Sequence, residues 1–280
     1  MRVKKVLFNY TAMIFLIVLS VAFLSPIFIV LINSFKGKLF ISRAPFAFPT
    51  AETFVALSNY ITGIKNSQFF SAFGYSLFIT VASVAVIVIF TAMTAWFITR
   101  VKTKWTKVLY YLFVFSMIVP FQMVMFTMNY IVNKIHFNNP LGIIVVYLGF
   151  GAGLSVFMFS GFVKSVPLEI EEAAMIDGCN PIQSFFLVVL PILKPTAITV
   201  AILNAMWIWN DYLLPYLILG TTKYKTIPIA IQMAMQGAYG SVDMGGFMAM
   251  LVLAIIPIVV FYLFSQKYII KGVVAGAVKG

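Results

Sequence analysis

Charge is what this 280-residue sequence has least of: 9% of its residues are charged, against 62% that are hydrophobic. A soluble domain has about 25% charged residues and could not bury so much apolar surface. The scarce charges leave long uncharged intervals, five of which hold between 23 and 34 residues. Because about 20 residues cross a bilayer as a helix, these intervals exclude a soluble protein and predict membrane-spanning helices.

A sixth apolar run lies between Pro195 and Gly220 and is interrupted only by Asp211. The alternation of period two that is typical of membrane β-strands is absent. We therefore predict an all-α, multi-pass protein of the cell membrane with six transmembrane helices. The predicted spans cover approximately residues 7–34, 69–99, 108–127, 141–163, 195–219 and 245–264.

Several other residues and motifs are scarce or missing, and each absence excludes a function. One cysteine, Cys179, excludes a disulfide within the chain, and one histidine, His136, has no Cys, Asp or Glu close in sequence to complete a metal site. No Gly-x-x-x-x-Gly-Lys-Ser/Thr phosphate loop occurs, so the chain does not bind ATP by that route. An intramembrane aspartyl enzyme needs two membrane-embedded Asp residues, and one is present. We predict a protein that is not an enzyme and that carries no metal or cofactor.

Lysine and arginine number 19 against 7 acidic residues. If the N-terminus is placed in the cytoplasm, 12 of these cations fall on the cytoplasmic side, and the densest group is the short loop "RVKTKWTK". The positive-inside rule then predicts that both termini are cytoplasmic and that residues near Asn59 and Gly237 are external. The positive charge is thus explained by topology and by anionic lipids of the bilayer. Because no soluble basic face exists, it does not indicate nucleic-acid binding.

Acidic residues are the scarcest charged type, yet four of the seven lie between Glu169 and Asp177. The surrounding sequence predicts a helix, a sharp turn and a second helix. Gly178 is a typical helix stop that can take a left-handed conformation. Asn180 is a typical helix cap, with Pro181 at the first position and Gln183 three residues after the cap. Such an ordered cytoplasmic loop favours docking into a partner's groove, although an amphipathic connector between two spans fits the same spacing.

Glycines at positions 149 and 153 form a GxxxG pair within the fourth predicted span. This pair lets helix backbones approach closely in lipid. The motif is common by chance in apolar sequence, so we interpret it as ordinary helix packing.

Asp211 is the one acidic residue inside a predicted span, and such residues are functional candidates because they are costly in lipid. Asn204, Trp207 and Asp211 follow i, i+3, i+7 spacing and so share one predicted helix face. An amide, an indole and a carboxylate suit sugar hydroxyls and sugar C–H surfaces. Two interpretations stay open: a substrate pathway, or polar residues that hold helices together at the membrane interface.

The acidic loop resembles a motif of bacterial ABC-importer permeases: Glu-Ala-Ala, three residues, Gly, nine residues, Ile, one residue, Leu-Pro. In this chain the matching residues are Glu172-Ala173-Ala174, Gly178 and Leu190-Pro191, with Val188 in place of Ile. The segments "LINSFK", "WNDYLLP" and "QKYIIKGVVAGAVKG" are similar to carbohydrate-importer permeases, specifically the smaller six-span subunit of the maltose-transporter type. One departure is Tyr75-Ser76, where the family usually has Asn-Ser.

The resemblance implies a type I ABC-importer permease fold and a division of labour among subunits. The implied partners are a second homologous permease, two cytoplasmic ATPases that bind ATP and Mg, and an extracellular sugar-binding protein. The two permeases would form the translocation pathway for a sugar or oligosaccharide by alternating access. The ATPases would dock on a coupling loop, within residues 164–194, whose implied members are Glu171, Glu172, Ala173, Ala174, Asp177, Gly178, Leu190 and Pro191.

The implied organisation has three parts. Residues 1–67 are a first transmembrane helix plus an external segment, residues 68–270 are the permease core with five helices, and residues 271–280 are a cytoplasmic tail. The alternatives are an ion-coupled secondary transporter, for which one membrane-embedded Asp is thin support, and a permease for a solute other than a sugar.

Overall fold

The computed structural model describes residues 2–221, 223–235 and 242–277, with side chains for residues 10–221, 223–235 and 242–268. Its regular secondary structure in these ranges is helical. The helices are α1 (Arg2–Ser34), α2 (Lys38–Arg43), α3 (Ser58–Ser67), α4 (Phe69–Arg100), α5 (Lys104–Ser116), α6 (Phe121–Lys134), α7 (Pro140–Val163), α8 (Leu168–Ile176), α9 (Pro181–Ser184), a π-helical turn (Phe185–Val189), α10 (Leu190–Ile192), α11 (Lys194–Asn210), α12 (Leu213–Leu219), α13 (Ile227–Ala234) and α14 (Met244–Ala277).

Four stretches of the described chain are long and apolar enough to cross a membrane as single helices: Tyr10–Ser34, Phe69–Arg100, Pro140–Val163 and Met244–Tyr268. Two further candidates are bent pairs of helices, and counting each pair as one span gives six. The predicted all-α membrane fold is therefore confirmed, with four to six candidate spans.

The third predicted span, over residues 108–127, is not a continuous helix. α5 ends at Ser116, α6 begins at Phe121, and their axes differ by 106°. Pro120, the N-cap of α6, explains the break, because proline has no N–H to donate and restricts the residue before it to extended conformations. Each half is only about 20 Å long, which is shorter than the hydrocarbon core of a bilayer.

The fifth predicted span, over residues 195–219, also departs from one straight helix. α11 ends at Asn210, Asp211 has an extended backbone, and a separate helix, α12, follows. At its start α11 is bent by 78° from the segment Pro181–Ile192. Asp211 thus lies at a break between two helices rather than inside one.

The chain divides into two compact units, 1–70 with 230–257 and 71–229 with 258–280. The larger unit contains the hydrophobic core, whose central element is α7. One side of α7 is fully buried, and it packs against α5, α11 and α12. Its innermost side chains are Ile143, Tyr147, Val156, Phe159 and Val163.

Glycines in α7 set how closely its neighbours approach, but the GxxxG prediction is wrong for one of its members. A Cβ on Gly153 would lie 2.8 Å from the carbonyl oxygen of Phe113 in α5, whereas Gly149 has open space around it. The second close approach is instead at Gly151, where a Cβ would lie 2.8 Å from Oδ1 of Asn204. The two glycines at which α7 comes closest to neighbouring helices, Gly151 and Gly153, are therefore two residues apart.

The smaller unit is built around the "LINSFK" segment at the end of α1. Asn33 and Lys36 are buried, and their side chains donate hydrogen bonds to the carbonyl oxygens of Pro45 and Ala44 at 2.8 and 2.9 Å. Burial lowers the pKa of Lys36 from its ordinary value. The segment "LINSFK" thus fixes the polypeptide that follows α1.

Candidate functional site

The acidic loop has the predicted form of helix, glycine turn and helix. α8 ends in a Schellman motif, in which the N–H of Cys179 bonds to the carbonyl of Ala174 and that of Gly178 to Met175. Gly178 has φ +92°, as the sequence predicts. The two bonds fix the turn, so the direction of the next helix is set by backbone geometry.

The second helix of the loop begins with a capping box. The Asn180 side chain accepts from the N–H of Gln183 at 2.9 Å, and the Gln183 side chain accepts from the N–H of Asn180 at 2.9 Å. Both groups are otherwise unpaired helix donors, so the reciprocal pair stabilises this start. The loop is a defined structure on both sides of Gly178.

Glu171 is the loop residue that points into the protein. Its side chain is 3% exposed, and Arg100 at the end of α4 donates to Oε1 from Nη2 at 2.6 Å and from Nε at 2.9 Å. Trp96, one helical turn earlier, donates to Oε2 at 2.9 Å. Since both carboxylate oxygens are bonded to α4, Glu171 ties the loop to a candidate membrane span.

Two further contacts strengthen this attachment. Arg100 also donates to the carbonyl oxygen of Val166, just before α8, at 2.9 Å. The indole of Trp96 lies against the fully buried ring of Phe185, with centroids 5.5 Å apart. We call Trp96, Arg100, Glu171 and Phe185 the loop clamp. It holds both arms of the loop on one helix.

The opposite side of α8 is open. Glu169, Glu172, Ala173 and Ile176 follow i, i+3, i+4, i+7 spacing and are all exposed, and Ile176 is 86% exposed. We call these four residues the outer face of α8. Its acidic residues lie toward the start of the helix and its apolar side chain at the end, a combination suited to a partner groove with a basic rim.

The remaining loop candidates divide between the two sides. Asp177 and Gly178 are exposed at the turn, whereas Ala174 is 8% exposed and faces the chain's own interior. Of the two alanines of the motif, Ala173 is therefore the exposed one. Leu190 is half-buried and Pro191 is exposed.

The three candidate pathway residues all contact α7. Asn204 is buried, and its amide donates to Ser155 Oγ at 3.2 Å and to the carbonyl of Val200 at 2.9 Å. Asp211 follows the last residue of α11, and its Oδ1 accepts from the N–H of Leu214 at 3.3 Å. Of the three, Trp207 has open surface, with 42% of its area exposed.

Tyr147 of α7 connects two of these residues. Its hydroxyl donates to Oδ2 of Asp211 at 3.1 Å, and its ring lies edge-on to Trp207 with centroids 5.5 Å apart. The carboxylate, the phenol and the indole therefore form one connected group, in which Asp211 orients Tyr147 and Tyr147 supports Trp207.

Sequence reasoning missed Trp96, Arg100, Tyr147 and Phe185. Trp96 and Arg100 have i, i+4 spacing at the end of an apolar run, which indicates one shared helix face. Nothing in that spacing names Glu171, more than 70 residues away, as the partner. The Tyr75-Ser76 departure has a packing role: Ser76 Oγ accepts from the N–H of Ile227 at 2.8 Å, and Tyr75 packs on Tyr224.

The chain is thus an all-helical membrane protein whose polar loop is clamped to a candidate span. Residues 92–274 match the family described as "Binding-protein-dependent transport system inner membrane component". The chain belongs to this family. It is an inner-membrane, multi-pass permease subunit of an ABC importer, not an enzyme, and its transport depends on a binding protein and an ATPase.

Full-length relatives support the assignment. The chain is 40% identical over 263 residues to the "Probable starch degradation products transport system permease protein AmyC" of Thermoanaerobacterium thermosulfurigenes, covering 94% of each. It is 34% identical to the "Multiple sugar-binding transport system permease protein MsmG" of Streptococcus mutans, covering 93% of each. It is 31% identical to the "Melibiose/raffinose/stachyose import permease protein MelC" of Bacillus subtilis, covering 94% of each.

A solved structure supports the fold. The crystal structure of a bacterial ABC transporter involved in the import of the acidic polysaccharide alginate contains a similar chain, with a TM-score of 0.78 and 20% identity. The match covers 95% of this chain and 97% of that one. The predicted permease fold, and the resemblance to permeases of carbohydrate importers, are confirmed.

Proposed function

We propose that this chain forms half of the translocation pathway of a carbohydrate importer. A second, related permease forms the other half, and the pair transports its substrate by alternating access. Two ATPases would bind at the cytoplasmic loops of the pair, and an external sugar-binding protein would deliver the substrate. Family membership rules out the ion-coupled alternative. The sugar assignment rests on three relatives named for starch products, multiple sugars and melibiose, raffinose or stachyose.

The loop clamp carries the proposal for coupling. Glu172, Ala173, Asp177 and Gly178 form the exposed ATPase-facing side, and Glu171 and Ala174 form the side attached to the chain's own helices. Leu190 and Pro191 lead from the loop toward the bend before α11. When the ATPases move, they displace the outer face of α8. This displacement is transmitted to α4, because Glu171 of α8 is bonded directly to Arg100 and Trp96 of α4.

For the pathway we propose Trp207 as the aromatic surface that the sugar passes. Its exposure supports this role, and sugar C–H groups pack well on indole rings. Asp211 and Asn204 act as positioning residues, since their polar groups are bonded within the chain. Trp207→Ala should lower uptake while leaving assembly intact, and Trp207→Phe should retain most uptake. Normal uptake by Trp207→Ala would remove this residue from the pathway.

The experiment that tests the substrate class uses cells that lack this chain and cells complemented with it. Uptake of labelled maltooligosaccharides, raffinose and melibiose is measured beside that of a labelled amino acid. We expect complementation to restore uptake of at least one oligosaccharide and to leave amino-acid uptake unchanged. Restoration of amino-acid uptake alone would assign the permease to a non-sugar solute.

We further propose six spans with both termini in the cytoplasm, and an organisation of first span plus external segment (1–67), permease core (68–270) and cytoplasmic tail (271–280). Residues 278–280 of the tail, and Gly237 of the expected external loop, lie outside the described residues. Asn59 is a poor labelling site, because its amide bonds to the carbonyls of Ser34 and Lys36. Glu52 is exposed and is therefore a better site for cysteine labelling.

In a Cys179→Ser background, Glu52→Cys should react with a membrane-impermeant maleimide in intact cells, and Lys104→Cys should react after permeabilisation. Reaction of Lys104→Cys in intact cells, with Glu52→Cys silent, would invert the proposed orientation.

A further inference from the structure

A basic cavity lies where α4, α5 and α7 meet, at the same end of the larger unit as the loop clamp. Its volume is about 780 Å³, within the usual range of roughly 300–1,000 Å³ for ligand pockets. The lining includes five cationic side chains and no acidic one. They are Arg100, Lys102, Lys104, Lys107 and Lys164.

The cations of this cavity have few partners. Among the described residues the single ion pair joins Arg100 to Glu171. The four lysines are exposed, and Lys164 lies 5.5 Å from the centre of the Tyr110 ring, which also lines the cavity. Four like charges in one cavity repel one another, so an anion bound there would be favoured electrostatically.

The position of the cavity identifies the source of the anion. α4 and α7 are both apolar candidate spans, and the cavity is at the ends of both, where hydrocarbon gives way to polar headgroups. Trp105, between two lining residues, is 79% exposed, as is typical of side chains at membrane interfaces. A ligand reaching this cavity from the bilayer would carry an acyl chain beside α5 and its headgroup among the lysines.

The geometry points to a binding site for an anionic phospholipid, whose phosphodiester is held by Lys104, Lys107 and Lys164. The leaflet follows from the orientation proposed above, in which this end faces the cytoplasm, where anionic lipids attract basic segments. Because Arg100 belongs both to the cavity and to the loop clamp, a lipid bound here would rest against the residue that holds the coupling loop.

The test uses the assembled importer, this chain with its partner subunits, in nanodiscs of phosphatidylcholine with a minority of phosphatidylglycerol. Native mass spectrometry after detergent extraction counts retained phosphatidylglycerol. Lys107→Gln should lower retention about fivefold, as expected for one lost charge near an anionic headgroup. Lys107→Arg should retain the lipid. Lys267→Gln, a lysine of α14 outside the cavity, is the matched control and should not change retention.

Two further arms separate the sources of the ligand. Inorganic phosphate added to phosphatidylcholine nanodiscs should not raise the melting temperature of the complex, whereas phosphatidylglycerol should raise it. The proposal is overturned if Lys107→Gln and Lys267→Gln retain phosphatidylglycerol equally. It is also overturned if Lys107→Gln reduces recovery of the ATPase and leaves the lipid count unchanged, since the cavity would then bind a protein segment. Neither readout depends on which solute is transported.

Discussion

Glu171 and Asp211 are both acidic residues whose carboxylates accept hydrogen bonds within the chain, but they are held in different ways. Glu171 is buried and faces a guanidinium and an indole N–H. Asp211 is half-buried and is bonded by a neutral phenol and a backbone N–H. Glu171 is held mainly by the positive charge of Arg100, so the position of the loop depends on the negative charge of Glu171. Asp211 is held by neutral donors, so the break between α11 and α12 depends on a hydrogen-bond acceptor at this position and not on its charge.

The largest effect should follow from breaking the ion pair of the loop clamp. Glu171→Ala leaves Arg100 with no counter-charge in a mostly buried position, and removal of one partner of a buried pair costs about 3 kcal/mol or more. Arg100 keeps some water contact, with 18% of its side chain exposed, which favours the lower value. We expect a lower melting temperature of the complex and loss of uptake.

Two comparisons make this prediction specific. Glu169→Ala removes an exposed acidic residue of the same helix and should leave the melting temperature nearly unchanged. The double variant Arg100→Ala/Glu171→Ala should be little worse than either single variant, because the two residues act as one pair. Additive losses in the double variant would mean that the two side chains stabilise the loop separately.

A smaller effect is expected at Asp211, where charge should not matter. In Asp211→Asn the amide oxygen can still accept from the N–H of Leu214, and the amide NH2 can donate to the hydroxyl oxygen of Tyr147, so this variant should behave almost as wild type. Asp211→Ala removes the acceptor at the start of α12 and should cost about 1 kcal/mol, measured as a lower melting temperature. Tyr147→Phe should cost about as much. Equal damage from Asn and Ala at position 211 would show that the carboxylate charge is needed.

An effect of about the same size as that of Asp211→Ala is expected at Gly178. With φ +92° and open space around a Cβ, the cost of Gly178→Ala is backbone strain alone, about 1 kcal/mol or slightly more. Gly161→Ala in α7 also meets open space but has helical dihedrals, and should be neutral. The melting temperatures of the two variants measure the difference. If both variants are neutral, the turn does not require a left-handed residue in the assembled importer.

The turn at Gly178 was predictable because its signals are local. A glycine stop and a capping pair separated by three residues are complete within a few positions of sequence. The inward direction of Glu171 was not predictable, because it depends on Trp96 and Arg100, which only the packing of α8 on α4 brings near. The i, i+3, i+7 spacing placed Asn204, Trp207 and Asp211 on one side, and all three contact α7. The spacing could not name their partners, Ser155 and Tyr147, which only the packing of α11 on α7 brings near.

Pro120 shows a second limit of prediction from sequence, which concerns the size of a helix break. A proline inside an apolar run signals a kink or a break, but its size depends on neighbouring helices. The actual bend of 106° separates α5 from α6, whereas Pro26 and Pro257 lie inside continuous helices. The sequence therefore predicts the presence of apolar spans better than their continuity.

The central claim is that the two sides of α8 have different roles. The inner side transmits movement to α4 through Glu171, and the outer side binds the ATPase through Glu172. One measurement tests it: recovery of the ATPase and ATP hydrolysed per sugar imported, for Glu171→Gln and Glu172→Lys in the same reconstituted importer. Glu171→Gln should keep ATPase recovery near wild type while imported sugar per ATP falls severalfold. Glu172→Lys should reduce ATPase recovery itself. If Glu171→Gln loses the ATPase while Glu172→Lys retains it and transports normally, the assignment of the two sides is contradicted.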